Sequence, residues 1–300
     1  MTDERVIYWA EVMRPAWDQD GERNAVPMHR KIWEWAFTLW VLEQQGLLCP
    51  GTKGLGFGVG QDPLSAVLAS LGCEVVATDM DPERAAARGW LESGEYAGTA
   101  DRLNTAGLCE PEEFAKRVTF EIVDMNRIPE HLQGFDFTWS SCAFEHLGSI
   151  ARGQEFILRQ MQCLRPGGIA VHTTEYNVFS NGPTVSTGET VLFRKRDIEW
   201  LVGELRRDGH QIEVDFDTGS GLADRHVDMP PWQGPHLKLR IGEHVSTSLA
   251  LVVEAGSAPP RRLRSLQRAS RRYLALEQPQ ILPLFDALVG LAVRYRSRGS

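Results

Sequence analysis

The stretch Thr52-Lys53-Gly54-Leu55-Gly56-Phe57-Gly58-Val59-Gly60-Gln61-Asp62-Pro63 decides the fold of this 300-residue chain. Its GxGxG pattern allows a tight backbone turn and lets a ligand approach the main chain closely. Asp62 is predicted to cap a helix whose first residue is Pro63. A short apolar segment precedes the turn, so the sequence predicts the strand, turn and helix that open a nucleotide-binding α/β unit.

The rest of the chain alternates between predicted strands and helices. Four further strands are predicted at residues 73–79, 118–124, 135–140 and 169–174, with helices between them. Two more strands, 211–216 and 246–254, follow a helix at 197–207, and a short strand is predicted between them at 236–241. This alternation predicts a doubly wound, Rossmann-like α/β sheet of seven strands, parallel except for one antiparallel strand.

Charge is unevenly distributed along the chain. The net charge is -8, which disfavours a nucleic-acid partner. The last 45 residues nevertheless hold nine arginines against Glu277 and Asp286. We interpret this tail as a solvated helix face or a contact in a possible homodimer; attraction of an anionic glycan, a nucleotide sugar or a membrane surface is the alternative.

Cysteine usage and hydropathy suggest a compartment. The five cysteines form no CxxC pair, which is typical of reduced thiols in a cytoplasmic protein. No apolar run reaches the ~18 residues of a transmembrane segment, and the acidic N-terminus lacks a signal-peptide pattern.

Composition shifts divide the chain into three predicted parts. Residues 1–50 form an N-terminal helical cap, in which 29–42 is an amphipathic helix packed across the core. Residues 51–255 form the ligand-binding domain, with insertions near 175–195 and 218–241. Residues 256–300 form a basic helical C-terminal extension. Whether the start of helix 29–42 also borders a ligand pocket stays open at this point.

The ordered set of motifs over residues 50–255 resembles the class I S-adenosylmethionine-dependent methyltransferases. Beside the glycine turn, the set comprises Asp79 ending the second strand, Asp124-Met125 ending the third, the fourth strand 135–140, and Leu164-Arg165-Pro166-Gly167-Gly168 before the fifth. The resemblance implies that Asp79 binds the ribose diol and that Asp124 and Met125 bind adenine. The implied cofactor-binding residues are Gly56, Gly58, Gly60, Asp79, Met80, Asp124, Met125 and Ser140.

One position departs from the family pattern. An acid is expected two residues before the first glycine of the turn, and this chain has Gly54 there. The contact that holds the cofactor's ammonium group is therefore in question, and Asp62 is a possible substitute. A dinucleotide-binding domain is the alternative fold, but its GxGxxG spacing does not match.

Methyl transfer to a hydroxyl needs a general base near the ends of the fourth and fifth strands. The candidate catalytic residues are His146, His172 and Glu175. Because side chains alternate along a strand, His172 and Glu175 should lie on opposite faces unless the strand bends.

Polar residues beyond the fifth strand are candidates for acceptor binding. They are Tyr176, Asn177, His226, Asp228, Trp232 and His236, with Trp232 a platform for a sugar ring or a core side chain. The group around Asp228 also has ligand types that suit a divalent metal, but its spacing is not diagnostic and we expect none.

The motif set is similar to that of bacterial methyltransferases of polysaccharide or glycolipid assembly. That similarity implies an O-methyltransferase that uses S-adenosyl-L-methionine and acts on a sugar or glycan hydroxyl. A natural-product or other small-molecule O- or N-methyltransferase is one alternative. A non-catalytic S-adenosylmethionine-binding partner protein is another, from a different class.

Overall fold

Strands and helices alternate around a single sheet in this computed structural model, which describes residues 4–18, 20–91 and 95–256. The strands are β1 (Lys53–Phe57), β2 (Glu74–Asp79), β3 (Val118–Ile122), β4 (Phe135–Ser141), β5 (Leu164–Asn177), β6 (Gln211–Glu213), β7 (Lys238–Ile241) and β8 (His244–Glu254). Most of the basic extension predicted at 256–300 lies outside the described residues, which end at residue 256.

The helices follow the predicted positions closely. They are α1 (Glu4–Val12), α2 (Arg14–Trp17), α3 (Arg30–Gln44), α4 (Leu64–Ser70), α5 (Pro82–Ala87), α6 (Pro111–Arg117), α7 (Ile150–Gln160), α8 (Lys195–Arg207) and α9 (Leu222–Arg225). Short 3₁₀ helices lie at Ala100–Asn104, Phe144–His146 and Met161–Cys163. No helix of the described residues combines the length and the apolar content that a membrane crossing needs.

The strand order is β3-β2-β1-β4-β5-β8-β6, and β8 runs antiparallel to both of its neighbours in that order. The mixed, doubly wound sheet predicted from the sequence is therefore confirmed, but the count of seven strands is one short. The eighth strand, β7, lies within the short segment predicted as a strand at 236–241. It forms an antiparallel hairpin with the start of β8, while β6 pairs with the end of β8. β8 is long enough, at 11 residues, for both partners to share one edge.

Polar caps fix where the helices begin. Asp81 accepts hydrogen bonds from the amides of Glu83 and Arg84, and Ser149 accepts one from Arg152. Asp62 accepts a hydrogen bond from Leu64 N at 3.1 Å, so it caps α4 as predicted, although the helix begins one residue after Pro63. These caps satisfy amides that the first helical turn leaves without partners.

Two apolar layers enclose the sheet. On one face, side chains of α1, α3 and α4 pack on Phe137 and Trp139 of β4. On the other face, Phe57 of β1 meets Phe156 of α7 edge-on, with ring centroids 5.1 Å apart. α3 thus lies against the carboxyl half of the sheet and brings its first turn to the edge where parallel strands present ligands.

Candidate active site

The glycine turn between β1 and α4 lies at the carboxyl edge of the sheet. Gly58 has φ +57° and Gly60 has φ +54°, a left-handed conformation that L side chains rarely adopt. A Cβ on Gly58 would lie 2.9 Å from Ala143 Cβ and 3.3 Å from Met125 Sδ. A Cβ on Gly60 would lie 2.4 Å from the carbonyl oxygen of Glu95, so the chain after residue 94 packs directly over the turn.

Gly60→Ala should destabilise the fold more than Gly107→Ala does. Both residues have positive φ, but the described structure places nothing within 4 Å of a Cβ at Gly107. The left-handed conformation costs either variant about 1–2 kcal/mol, and the close approach to a backbone carbonyl adds about 1–3 kcal/mol at Gly60 only. Urea unfolding of the two variants measures the difference; equal losses would contradict this packing.

Asp79, at the end of β2, points its carboxylate at the turn. One oxygen accepts a hydrogen bond from Gly60 N at 2.9 Å and the other accepts one from Met80 N at 2.7 Å. Each oxygen keeps a second lone pair, which suits a ligand diol. Burial raises the pKa of Asp79 to about 6, so the group is ionised at neutral pH but titrates in mild acid. The Tyr96 hydroxyl donates to Met80 O at 3.0 Å and fixes the same segment.

Asp124 and Met125 follow β3 beside the turn. Asp124 accepts hydrogen bonds from Asn126 N and from the guanidinium of Arg84, and its side chain is about one-third exposed. Burial acts against its charge, but these hydrogen bonds outweigh burial and lower the pKa of Asp124. Met125 is buried next to Gly58. These placements fit the adenine-binding positions implied by the resemblance, which stay a prediction.

The structure explains why Gly54 replaces the expected acid. A Cβ there would lie 2.3 Å from the ring of Phe137, so the neighbouring strand has taken the space of a side chain. Asp62 is an incomplete substitute because both of its oxygens already accept hydrogen bonds, from Leu64 N and from Trp139 Nε1. Burial raises the pKa of Asp62 to about 7.

A buried cluster of polar side chains, which we call the polar chamber, lies at the carboxyl ends of β4 and β5, under the first turns of α3. Its members are Arg30, Lys31, Glu34, Ser141, Cys142, Glu145, Thr174, Glu175, Ser246 and Ser248, joined by the contacts below. Arg30 pairs with Glu175, whose other oxygen accepts a hydrogen bond from Ser246. Lys31 Nζ donates to Ser141 O at 3.0 Å and lies 3.3 Å from Glu34. The sequence leaves open whether Arg30 and Lys31, at the start of α3, border a ligand pocket, and it does not indicate Glu34 because the burial of Glu34 depends on how α3 crosses the sheet.

Glu145 contributes an oxygen without a partner to the chamber. Its Oε2 accepts a hydrogen bond from Thr174 Oγ1 at 3.2 Å, whereas Oε1 is buried with no hydrogen-bond partner among the described residues. Burial, and then the charge of Glu175, raise the pKa of Glu145 to about 8. Arg30 Nε, Glu34 Oε2 and Ser141 Oγ are also buried without hydrogen-bond partners in this part of the chain. Buried polar atoms of this kind call for a ligand or water.

Cys142 joins the chamber through a strained backbone. It has φ +50°, and its amide donates to Thr173 Oγ1 while its thiol donates to Glu34 at 3.1 Å. Burial, and then the charge of Glu145, raise the pKa of this thiol well above its usual value. Non-glycine residues in this conformation cluster at functional sites.

The side chains of Cys142, Glu145 and Glu175 lie close enough to share a cation, with ligand atoms within 4.8 Å of one another. Arg30 and Lys31 already supply two positive charges to the same chamber. A divalent ion would therefore meet carboxylates whose charge is largely compensated, so the donor set does not favour a metal.

His172 lies on the other face of the sheet from the chamber. Its ring stands edge-on to those of Phe144 and Phe156, and Nδ1 is 2.7 Å from Ser140 Oγ. Burial lowers the pKa of His172 to about 3. Glu175 faces α3 instead, so the two candidate bases are separated as the strand alternation predicts. Ser140 likewise turns away from the glycine turn in the described structure.

Burial of His172 predicts a pH-dependent stability difference. The folded-state pKa lies below the unfolded value of about 6.5, so the unfolded chain binds the proton more tightly. The stability that the folded protein keeps while His172 is neutral is fully present above pH 6.5. It is lost as pH falls from 6.5 toward 3, and the free energy of unfolding then changes by at most about 1.4 kcal/mol per pH unit. We expect His172→Gln to lose less unfolding free energy than the wild type between pH 6.5 and 4; parallel curves from urea unfolding would contradict this placement.

His146 is at the rim between the turn and the loop after β5. Its Nδ1 lies 3.0 Å from Glu189 O and 3.1 Å from Thr190 Oγ1, and Trp90 stands edge-on to the ring. Burial lowers the pKa of His146, so the neutral imidazole is favoured. A base role for His146 stays a prediction.

Tyr176 and Asn177 end β5 and organise the following loop. Asn177 Oδ1 accepts hydrogen bonds from the amides of Phe179 and Ser180, while Nδ2 donates to Pro183 O. Tyr176 packs its ring against Phe216. The described contacts of both side chains are therefore structural, and their predicted acceptor contacts are untested.

The four other predicted acceptor residues are only partly brought together. Asp228 is buried and accepts hydrogen bonds from the amides of Gln233 and Gly234 and from His236 Nδ1 at 2.7 Å. His236 stacks on His29, with ring centroids 4.6 Å apart. Trp232 is half-exposed beside them, whereas His226 is exposed and stands apart from this group.

Comparison with known proteins bears on the same region. Residues 55–172, from β1 to β5, match the family model described as a methyltransferase domain. No curated protein matches the chain.

Solved structures resemble the chain at low sequence identity. The methyltransferase domain of bacterial CtHen1-C is 17% identical, with 74% of this chain and 96% of that chain covered at TM-score 0.48. A putative sarcosine dimethylglycine methyltransferase from Galdieria sulphuraria is 14% identical, with 75% and 85% covered at TM-score 0.46. The magnesium protoporphyrin IX methyltransferase from Synechocystis PCC 6803, with bound SAH, is 14% identical, with 73% and 81% covered at TM-score 0.44.

The matched segment spans the glycine turn, Asp79, Asp124 and the strand that carries His172. Its turn packs so closely on neighbouring chain that Gly58 and Gly60 have no space for side chains, and a carboxylate suited to a diol faces it. The chain therefore carries a methyltransferase domain whose cofactor is S-adenosylmethionine.

Proposed function

We propose that this methyltransferase methylates a neutral hydroxyl, of a sugar or glycan, that enters the buried polar chamber. The observation that carries the proposal is the unpartnered Oε1 of Glu145 in a chamber beside the glycine turn. Ala143 packs on Gly58 of the turn, and Glu145 follows two residues later, so the two features are adjacent in space. Ligands of doubly wound sheets bind at this edge.

The charge of the chamber supports a neutral acceptor. Lys31 compensates Glu34 and Arg30 compensates Glu175, while the raised pKa of Glu145 keeps most of that group protonated at pH 7. The net charge of these five side chains is therefore close to zero. An amine cation or a carboxylate would enter this desolvated site without a matching charge, which is costly.

The unpartnered atoms also suit a hydroxyl. Arg30 Nε is a donor and Ser141 Oγ is both a donor and an acceptor, while Glu34 Oε2, although paired with Lys31, keeps a lone pair that can accept. A hydroxyl both donates and accepts, so it can satisfy groups of each kind. A neighbouring hydroxyl of the same sugar would satisfy a second pair.

Glu145 is the side chain we assign to proton removal. In its ionised form, Oε1 accepts the proton of the acceptor hydroxyl, and Thr174 holds Oε2 so that Oε1 stays directed into the chamber. Bound S-adenosylmethionine supplies an electrophilic methyl group on a positively charged sulfur. Burial of the chamber excludes water, which would otherwise solvate the nucleophile.

Incubation with labelled S-adenosylmethionine and a panel of acceptors tests the proposal. Neutral glycosides should accept label, and amino sugars and small amines, which carry a positive charge, should accept less. Label only in amines would favour the N-methyltransferase alternative. Cofactor binding without transfer to any member would favour the non-catalytic alternative.

A further inference from the structure

A cavity of about 570 Å³ lies outside the chamber, where the start of α3 meets the loop before β7. We call it the outer cavity. It is lined by Arg23, Pro27, Met28, His29, Trp232, Gln233, Gly234, Pro235 and His236. Its size is within the range of small-molecule sites, about 300–1,000 Å³. None of these residues belongs to the predicted cofactor-binding positions or to the chamber that contains Glu145.

An indole side chain is presented to solvent at this cavity. Trp232 is 50% exposed and has φ +48°, a conformation that a bulky residue adopts only when its surroundings impose it. Met28 is 53% exposed beside it. An exposed, rigidly held aromatic face is suited to stacking on the apolar face of a pyranose ring.

Asp228 makes the indole-bearing loop rigid. Its buried carboxylate binds two amides of the loop, at Gln233 and Gly234, and one imidazole, at His236. The His236 ring then stacks on His29. A site held this way loses little conformational entropy when a ligand binds.

The cavity offers one positive charge and two imidazole edges. Arg23 has no ion-pair or side-chain hydrogen-bond partner in the described part of the chain, and the described lining contains no carboxylate. His29 Nδ1 accepts a hydrogen bond from Lys31 N, which leaves the ring proton of its neutral form on Nε2. His236 Nδ1 donates to Asp228, so its Nε2 is an acceptor when the ring is neutral.

Three consecutive residues link the lining of the outer cavity to the chamber along the chain. His29 lines the cavity, while Arg30 and Lys31 reach Glu175 and Ser141 O. Arg30 N also donates to His236 O at 3.0 Å. A ligand in the outer cavity therefore lies one residue along the chain from the groups that face the reacting hydroxyl.

We propose that the outer cavity binds a pyranose ring carrying one anionic group, as the second recognition site of the acceptor, with Trp232 under the ring and Arg23 at the anionic group. The proposal rests on the proposed function. The charge can come from a carboxylate of a uronic acid or from a phosphate ester, since a guanidinium binds both.

Titration calorimetry without the cofactor tests this binding site. The probes are methyl β-D-glucuronoside, glucose 1-phosphate, the neutral methyl β-D-glucoside and inorganic phosphate. In the wild type, a charged sugar should bind roughly threefold to tenfold more tightly than the neutral glycoside. Arg23→Gln should abolish that difference, and Arg225→Gln, an exposed arginine outside the lining, should keep it.

The ring contact has its own readout. Trp232→Ala should weaken both charged and neutral glycosides by roughly tenfold. Saturation-transfer NMR should show magnetisation passing from the wild-type protein to the protons of the sugar ring. Because this signal is measured on the wild type, it does not depend on how a variant folds. Of the two charged probes, tighter binding of methyl β-D-glucuronoside would identify a carboxylate as the preferred anionic group, and tighter binding of glucose 1-phosphate would identify a phosphate ester.

Three results would overturn the proposal: equal affinity for charged and neutral glycosides, unchanged affinities in Arg23→Gln, or inorganic phosphate binding as tightly as glucose 1-phosphate. Because these titrations involve no transfer, their failure is separate from failure of the proposed function. A chain that binds these sugars but methylates no hydroxyl would contradict the proposed function alone.

Discussion

Glu145→Gln should lower the turnover number by about 10²–10⁴-fold, the usual contribution of a general base. The amide has the same shape as the carboxyl group and can still accept the hydrogen bond from Thr174. It cannot accept a proton at neutral pH. S-adenosylmethionine affinity should therefore stay within about twofold of the wild type, which titration calorimetry measures.

The pH profile separates a base from a structural residue. With a pKa of about 8, the ionised form of Glu145 increases as pH rises from 7 to 9, so wild-type turnover should rise through this interval and then level off. The residual turnover of the E145Q variant should show no such rise. Glu112→Gln, at an exposed position on α6, is the matched control and should behave as the wild type. Wild-type turnover in the E145Q variant would exclude Glu145 as the base.

Asp79→Asn should raise the dissociation constant for S-adenosylhomocysteine by about 10–100-fold. The carboxylate accepts hydrogen bonds from both Gly60 N and Met80 N, and an amide offers only one accepting atom. The substitution therefore places an NH₂ group against a backbone donor and removes an acceptor for the ligand diol, each a loss of about 1–2 kcal/mol. Asp101→Asn, at an exposed position, is the control.

Affinity should also depend on pH through the same carboxylate. Since the ligand diol donates hydrogen bonds, it prefers ionised Asp79, and the pKa of that group is about 6 without ligand. Affinity should be constant above pH 7 and fall as pH drops below 6, and the D79N variant should lack this decrease. An unchanged dissociation constant in the D79N variant would refute the ribose assignment.

The glycine turn and the alternation of strands and helices can be predicted from the sequence because the local signals agree. Asp81 and Ser149 cap helices where their residue types predict, and the predicted strands end at the acids that face the turn. The short strand β7 is predicted at 236–241, but its place beside β8 is not. A four-residue segment becomes a strand only because β8 extends beyond β6 and offers it an edge.

The polar chamber was harder to foresee. Glu145 and His146 follow the fourth strand together as one cluster, and the sequence predicts His146 as the candidate base. Only the three-dimensional structure shows that Glu145 is fully buried with one oxygen unpartnered, while Glu175 uses both oxygens on Arg30 and Ser246. The alternation of side chains along the strand predicts which face of the sheet Glu175 lies on. It does not predict which side chains of α3 contact Glu175 there.

The position of Gly54 illustrates how a neighbour can override a motif. Nothing in the turn itself excludes an acid there, and the reason lies in Phe137, 83 residues later, whose ring fills the space. A contact of that kind depends on the pairing of β1 with β4 and is invisible in a local pattern.

Transfer from S-adenosylmethionine labelled with ¹³C in its methyl group tests the account most directly. A two-dimensional ¹H–¹³C spectrum of the product with a glycoside acceptor distinguishes a methyl carbon bonded to oxygen from one bonded to nitrogen. The chamber's balanced charge and its unpartnered Glu145 predict a single methyl ether signal, greatly reduced in the E145Q variant. A methyl signal on nitrogen, or an ether signal equally strong in the E145Q variant, would contradict the account.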